Sequence, residues 1–235
     1  MTESTVRLWE KYYEGLSDSY LFPNEFVVRS FLGTYPNLTM DRKYAGARIC
    51  DIACGDGRNI TLLNKLGLKV SATEISEAIC NITRKKLLEH PEHIVVDIRT
   101  GFNWALPFES HFFDYLLSWN ACYYMKDETS DFGDHVKEFA RIIKKGGYLV
   151  ASVPSPKCFS LICSEDLGNN LIRINTKTRW SILNGSIYRK FESFEDIESL
   201  FGDYFCDFQR CRISDDCFGL PLDYFVFVCK RRMDI

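Results

Sequence analysis

The chain has 235 residues, 46% of them hydrophobic and 26% charged, an ordinary globular make-up with enough chain to bury a substantial core. Its 29 Lys and Arg against 32 Asp and Glu leave a formal net charge of -3, so there is no broad positive field to gather a polyanion, and nucleic acid is not an expected partner. There is also no run of about 18 apolar residues, which argues against a membrane span. The start MTESTVRLWEKYY has neither a basic nor an apolar signal region, so the expected location is cytoplasmic and the ten cysteines are expected as free thiols. Cys158 with Cys163, and Cys206, Cys211 and Cys217, lack the short paired spacing of a zinc knuckle, and no metal site is expected.

The chain reads as one domain, 1–235. Its first 44 residues form a helical cap, rich in aromatics at Trp9, Tyr12 and Tyr13. The run RICDIA (48–53) is a short apolar strand entering a glycine turn, and a helix from 58 to 66 ends at Gly67. Residues 68–75 read as a second strand, and Ser76 caps a helix through Leu88. Residues 93–99 and 114–120 are the third and fourth strands. The helix of 131–145 ends at Gly146-Gly147, before a fifth strand of 148–153 that Pro154 stops. Strands alternating with helices at this spacing imply a parallel sheet covered on both faces.

The remaining segments follow a different pattern. Residues 156–192 form an insertion in which Asn184-Gly185, between β-prone runs within 179–191, signals a hairpin. In the C-terminal part, 193–235, a helix of 194–201 precedes strands at about 204–213 and 223–230, which a short link forces to be antiparallel.

The chemistry is concentrated in Asp51-Ile52-Ala53-Cys54-Gly55-Asp56-Gly57-Arg58-Asn59, at a strand end and a helix start. Two glycines one residue apart allow a sharp turn and close approach to a ligand, and the helix start offers unpaired N–H groups. Glu74 ends the next strand, followed by Ile75, where a carboxylate can accept hydrogen bonds from both hydroxyls of a ribose. That arrangement serves NAD as well as other adenosine ligands. Asp97, with Ile98 beside it, is expected at the end of the third strand, against the amine edge of an adenine.

With these residues in place the chain resembles the class I S-adenosylmethionine-dependent methyltransferases, in their small-molecule branch, over roughly residues 45–155. Asp51, Gly55 and Gly57 match the family's first motif, Glu74 its ribose-binding acid and Asp97 its adenine-side acid. Leu106-Pro107-Phe108 followed by Phe113-Asp114, and FARIIKKGG at 139–147, match its later motifs. The resemblance implies a Rossmann-like, doubly wound, seven-stranded sheet, mostly parallel with an antiparallel C-terminal strand. It also implies S-adenosyl-L-methionine as cofactor, released as S-adenosyl-L-homocysteine. Two departures stand out. Ala53 replaces the usual first glycine, which is tolerable if its φ is negative, and the stretch from Asp97 to Leu106 is longer than common.

Expected cofactor contacts are therefore Asp51, Ala53, Cys54, Gly55, Gly57, Asn59, Glu74, Ile75, Asp97 and Ile98, joined by Trp119 and, from the cap, Tyr12 and Arg29. The acceptor is expected over the fourth and fifth strand ends, at Asn120, Tyr123 and Tyr124, with Arg179, Trp180, Tyr188 and Arg189 of the insertion. Those arginines would suit a phosphate or carboxylate on the acceptor. Methyl transfer is an in-line displacement in which a general base is optional. Asp127, His135, His111 and Glu25 are the candidate bases if the acceptor is an alcohol. The expected reaction is methylation of an O or N atom of a small molecule by a monomer or homodimer. The alternatives are a protein or RNA methyltransferase and a noncatalytic S-adenosylmethionine-binding protein.

Overall fold

The structure is a computed structural model describing residues 3–16, 21–178 and 180–234. Arg179, one of the expected acceptor contacts, lies outside them, as do residues 17–20 of the N-terminal segment.

Two helices, α1 (Glu3–Glu14) and α2 (Glu25–Leu32), precede the sheet, and Asn24 caps α2 by accepting the Phe26 N–H at 2.9 Å. The apolar run at 48 gives β1 (Arg48–Asp51), and α3 (Arg58–Lys65) starts from Gly57 at φ 81°. β2 (Lys69–Glu74) leads through Ser76, whose hydroxyl accepts the Ile79 N–H, into α4 (Glu77–Glu89). β3 (Asp97–Thr100), β4 (Phe113–Ser118), α5 (Phe132–Ile142) and β5 (Ile143–Pro154) complete the alternation. A short α6 (Phe159–Ile162) then precedes β6 (Glu165–Gly168), β7 (Leu171–Arg173) and β8 (Ile187–Arg189). α7 (Phe194–Phe201), β9 (Phe205–Cys217) and β10 (Leu220–Arg231) end the fold.

The main sheet has the order β3-β2-β1-β4-β5-β10-β9. β1 to β5 are parallel, and β10 runs antiparallel between β5 and β9, so six strands share one direction and one opposes them. This is the doubly wound, seven-stranded sheet expected from the sequence. Alternate residues feed opposite layers, as strand geometry requires. Ile49, Tyr115, Leu117, Val150 and Val228 pack with α2 and α3, while Cys50, Leu116, Leu149, Ala151 and Phe227 pack with α5 and α7. Cys50, Cys54, Cys80, Cys122 and Cys229 are buried free thiols, acting as small apolar side chains. Among the described residues no helix is long and apolar enough to cross a membrane.

Three local expectations are corrected. β3 starts at Asp97, four residues beyond the expected start at 93, because residues 91–96 form a turn and irregular chain against α4 instead of joining the sheet. The expected Asn184-Gly185 hairpin is part of a longer connection, in which Ser181–Leu183 is a 3-10 turn. The tight reversal falls instead at Asn169-Asn170, where both residues have positive φ, between β6 and β7. At the C-terminus Phe218 and Gly219, both at positive φ, close a two-residue turn, so β9 and β10 extend beyond the expected strands.

Candidate active site

In an open parallel sheet the ligand crevice lies beyond the carboxyl ends of the strands where their order reverses, here between β1 and β4. A cleft lies there, partly open to solvent. Its floor is Ile52 and Ala53 after β1, Glu74 and Ile75 at the end of β2, and Gly101, Phe102 and Asn103 after β3. Its other side is Trp104, Asn120, Ala121 and Tyr124, and α1 lays Trp9 and Tyr13 over it.

Glu74 is the centre of the floor. It is 4% exposed; its Oε1 accepts the Gly55 N–H at 2.8 Å and its Oε2 the Ile75 N–H at 2.9 Å. Burial pushes its carboxyl up to about 7, and those two N–H donors hold it back from going further. Asp51 is buried behind the same turn, with Oδ2 lacking a hydrogen-bond partner, and burial and then Glu74 and Asp56 raise its pKa well above the carboxylate range.

The turn itself depends on left-handed backbone. Gly55 has φ 59°, and a Cβ there would meet the Tyr13 hydroxyl at 2.7 Å, so α1 approaches this loop as closely as only glycine allows. Ala53 has φ 51°, which corrects the expectation of a negative angle: an alanine occupies a conformation that glycine fills without strain. Gly57 serves packing, since a Cβ there would meet Thr83 and Leu87 of α4. Thr83 also donates its hydroxyl to the Gly55 carbonyl at 2.6 Å, tying the loop to α4.

The expected contacts thus divide. Ala53, Glu74 and Ile75 border the cleft, with Gly55 bonded to Glu74, and Asn120 and Tyr124 line it from the loop after β4. Cys54 packs downward among Ile60, Ala72 and Cys80, and Ile98 joins the same cluster. Asn59 accepts the Asn24 N–H at 3.0 Å and so anchors α2, away from the cleft. Asp97 stands at the entry of β3, at the opposite end of that strand from the cleft, and pairs with Arg99 at 2.6 Å. Trp119 stacks on Phe26 of α2 with rings 6.4 Å apart. Arg29 pairs with Glu25 on α2, at 2.5 Å, and lines a different cleft with Tyr35 and Gln209. Tyr12 packs against Trp180, which also meets Phe159.

The insertion acts through Tyr124. The Arg189 N–H donates to the Tyr123 carbonyl and the Met125 N–H to that of Ile187, so β8 flanks the loop after β4. Buried Tyr188 then donates its hydroxyl to that of Tyr124 at 2.7 Å, with Tyr123 packed against both rings. Arg189 is not an acceptor contact: it is 6% exposed, pairs with Asp196 at 2.9 Å and covers Phe191.

None of the candidate bases borders the cleft. Asp127 caps its own turn through Thr129 and Ser130, and those hydroxyls hold its carboxyl down at about 2. His111 lies before β4, at the opposite end of that strand from the cleft, with its Nδ1 3.3 Å from the Ile143 carbonyl. His135 is buried behind Trp104, its Nδ1 3.0 Å from the Cys122 carbonyl, and burial lowers its pKa. Trp9, in the aromatic N-terminal segment expected to cover the cofactor, and Trp104, weighed beside Ile98 for the adenine contact, both border the cleft, whereas Phe102 and Asn103 were missed. The signal for Asn103 was its place three residues before Leu106-Pro107-Phe108, nearer to that motif than Asp97.

Comparison with known proteins places this geometry. The profile of the family described as "Methyltransferase domain" matches residues 50–151. No curated protein matches the sequence. Among solved structures, an S-adenosylmethionine-dependent methyltransferase from Methanosarcina mazei is 16% identical, with a TM-score of 0.63 over 86% of this chain and 99% of that one. A chain of the complex between the Haloferax volcanii Trm112 methyltransferase activator and a methyltransferase is 14% identical, with a TM-score of 0.65 over 99% of both chains. A Thermotoga maritima S-adenosylmethionine-dependent methyltransferase, described as a possible histamine N-methyltransferase, is 19% identical, with a TM-score of 0.59 over 96% of this chain and 99% of that one. At such identities the likeness establishes the shared fold.

Proposed function

We propose that this chain, a class I methyltransferase, binds S-adenosylmethionine over the ends of β1, β2 and β3 and methylates a small molecule held in front of β4. The observation that carries the reading is the buried Glu74 carboxylate, fixed by the Gly55 and Ile75 N–H groups at the floor of the cleft. The residues present fit the cofactor. Glu74 presents both carboxylate oxygens at a strand tip bordering the cleft, and Asn103 lines the same cleft.

When bound, the cofactor supplies an electrophilic methyl on a sulfonium. The protein holds it in place. Glu74 would accept from the ribose hydroxyls, and Asn103 and the Phe102 ring would meet the adenine. Asn103 is pre-set for this role, because its amide nitrogen donates to the Ala121 carbonyl at 2.9 Å and so leaves its oxygen for an amine donor. Rate then comes from holding nucleophile and methyl in line, with water excluded by α1. The roof of Trp9 and Tyr13 favours a small acceptor over a folded protein or RNA, and the net charge of -3 adds nothing that would attract RNA.

Calorimetric titration with S-adenosylhomocysteine and with NADH tests the cofactor, and transfer of labelled methyl to a panel of small metabolites tests the reaction. Binding of NADH with none of S-adenosylhomocysteine would overturn the reading.

A further inference from the structure

The acceptor side of the cleft is aromatic. Trp9 stacks on Tyr13 with rings 5.9 Å apart at 23°, and meets Tyr124 at 6.3 Å and 71°. Across the cleft Trp104 lies flat on Phe102, 5.1 Å away at 9°. Among the described residues that line it there is no Lys, Arg or His, and Glu74 is its one carboxylate. Ring faces attract cations by their quadrupole, and they do so most strongly where water is excluded. A phosphate or carboxylate acceptor would find no positive partner among these groups, since Arg189 is buried outside the cleft against Asp196.

Resting on the methyltransferase reading, we infer that the acceptor's reacting atom is an amine nitrogen and that Trp9 and Tyr124 hold it, by cation–π contact, as the methylated ammonium. The nitrogen lone pair forms the new C–N bond while the methyl carbon–sulfur bond breaks and its electron pair remains on sulfur as a neutral thioether. The ammonium proton then leaves to water. Until that proton leaves, the positive charge passing from sulfur to nitrogen stays within the cleft, so aromatic walls stabilise it through the transfer. An alcohol acceptor asks for more, because its proton must be taken as it attacks. In this reading Glu74 is committed to the ribose hydroxyls, and burial raises the Tyr13 and Tyr124 phenols, which therefore stay protonated near neutral pH.

The test uses the full chain saturated with S-adenosylhomocysteine, whose thioether carries no charge, so that any preference for a cation arises from the acceptor side. Choline and its neutral carbon isostere 3,3-dimethylbutan-1-ol are titrated by calorimetry and tryptophan fluorescence. Choline is expected to bind at least fivefold more tightly, in keeping with a partly desolvated cation–π contact. The preference is expected to disappear in Trp9→Leu and in Tyr124→Leu and to persist in Tyr124→Phe, which keeps the ring face. Equal affinity, no binding of either compound, or a preference that survives both leucine variants overturns the inference. Failure of the chain to take up S-adenosylhomocysteine is a separate result and counts against the cofactor assignment instead.

Discussion

Glu74 and Gly55 are joined across the floor of the cleft, the carboxylate Oε1 accepting the backbone N–H of the glycine at 2.8 Å. The bond ties the tip of β2 to the turn after β1, so the two strand ends that define the candidate cofactor seat move as one unit. It also places a carboxylate where water hardly reaches.

That burial has a pH signature. With its pKa raised from 4.5 to about 7, Glu74 keeps a proton in the folded state that it loses in the unfolded chain. Its contribution is therefore fully favourable below about 4.5 and is lost as pH climbs through about 7. A shift of this size is worth on the order of 3 kcal/mol. Glu74→Gln cannot titrate, so the stability difference between it and the wild type should move in the variant's favour between pH 4.5 and 7.5. Urea unfolding at a series of pH values checks this, and a pH-independent difference would refute it.

Cofactor affinity should run the other way. Ribose hydroxyls donate to a carboxylate, so binding favours ionised Glu74. S-adenosylhomocysteine should bind more tightly as pH rises through about 7, with proton release visible as a dependence of the binding enthalpy on buffer ionisation heat. Loss of this dependence in Glu74→Gln identifies the group.

Ala53 is held at φ 51° at the cleft floor. A left-handed angle costs a non-glycine residue roughly 1–2 kcal/mol, part of which glycine regains after its larger entropy loss on folding. Ala53→Gly should therefore stabilise the protein by about 0.5–1 kcal/mol in thermal or urea unfolding, without weakening cofactor binding. Ala53→Val should destabilise it, since a β-branched residue fits that angle worse still.

Arg189 and Asp196 form a mostly buried pair, with side chains 7% and 24% exposed. Asp196→Ala would leave the guanidinium without its partner, at a cost of about 2–4 kcal/mol of stability. Because the pair packs behind Tyr123 and outside the cleft, S-adenosylhomocysteine affinity of the folded variant should be unchanged. A selective loss of affinity for cofactor or acceptor, with stability intact, would return Arg189 to the site.

The sheet was legible because apolar runs, glycine turns and caps agreed along the chain: Ser76 and Ser193 do cap the helices they precede. Glu74 was legible for the same reason, standing where a short strand of alternating pattern must end. Asp97 misled because β3 is only four residues long and begins where it was expected to finish, and periodicity cannot set the bounds of so short a strand. Arg189 misled because an arginine in an insertion gives no sign of its partner, and Asp196 sits a helix start away. The contact of Trp9 with Tyr124 joins distant segments of the chain, which local pattern does not encode.

A crystal structure of the protein with S-adenosylhomocysteine tests the central claim most directly. The account predicts both ribose hydroxyls on the Glu74 carboxylate, the amino acid end over the Gly55 turn and the sulfur facing Tyr124 and Asn120. A ligand seated elsewhere, with Glu74 still bonded only to the Gly55 and Ile75 N–H groups, would contradict it.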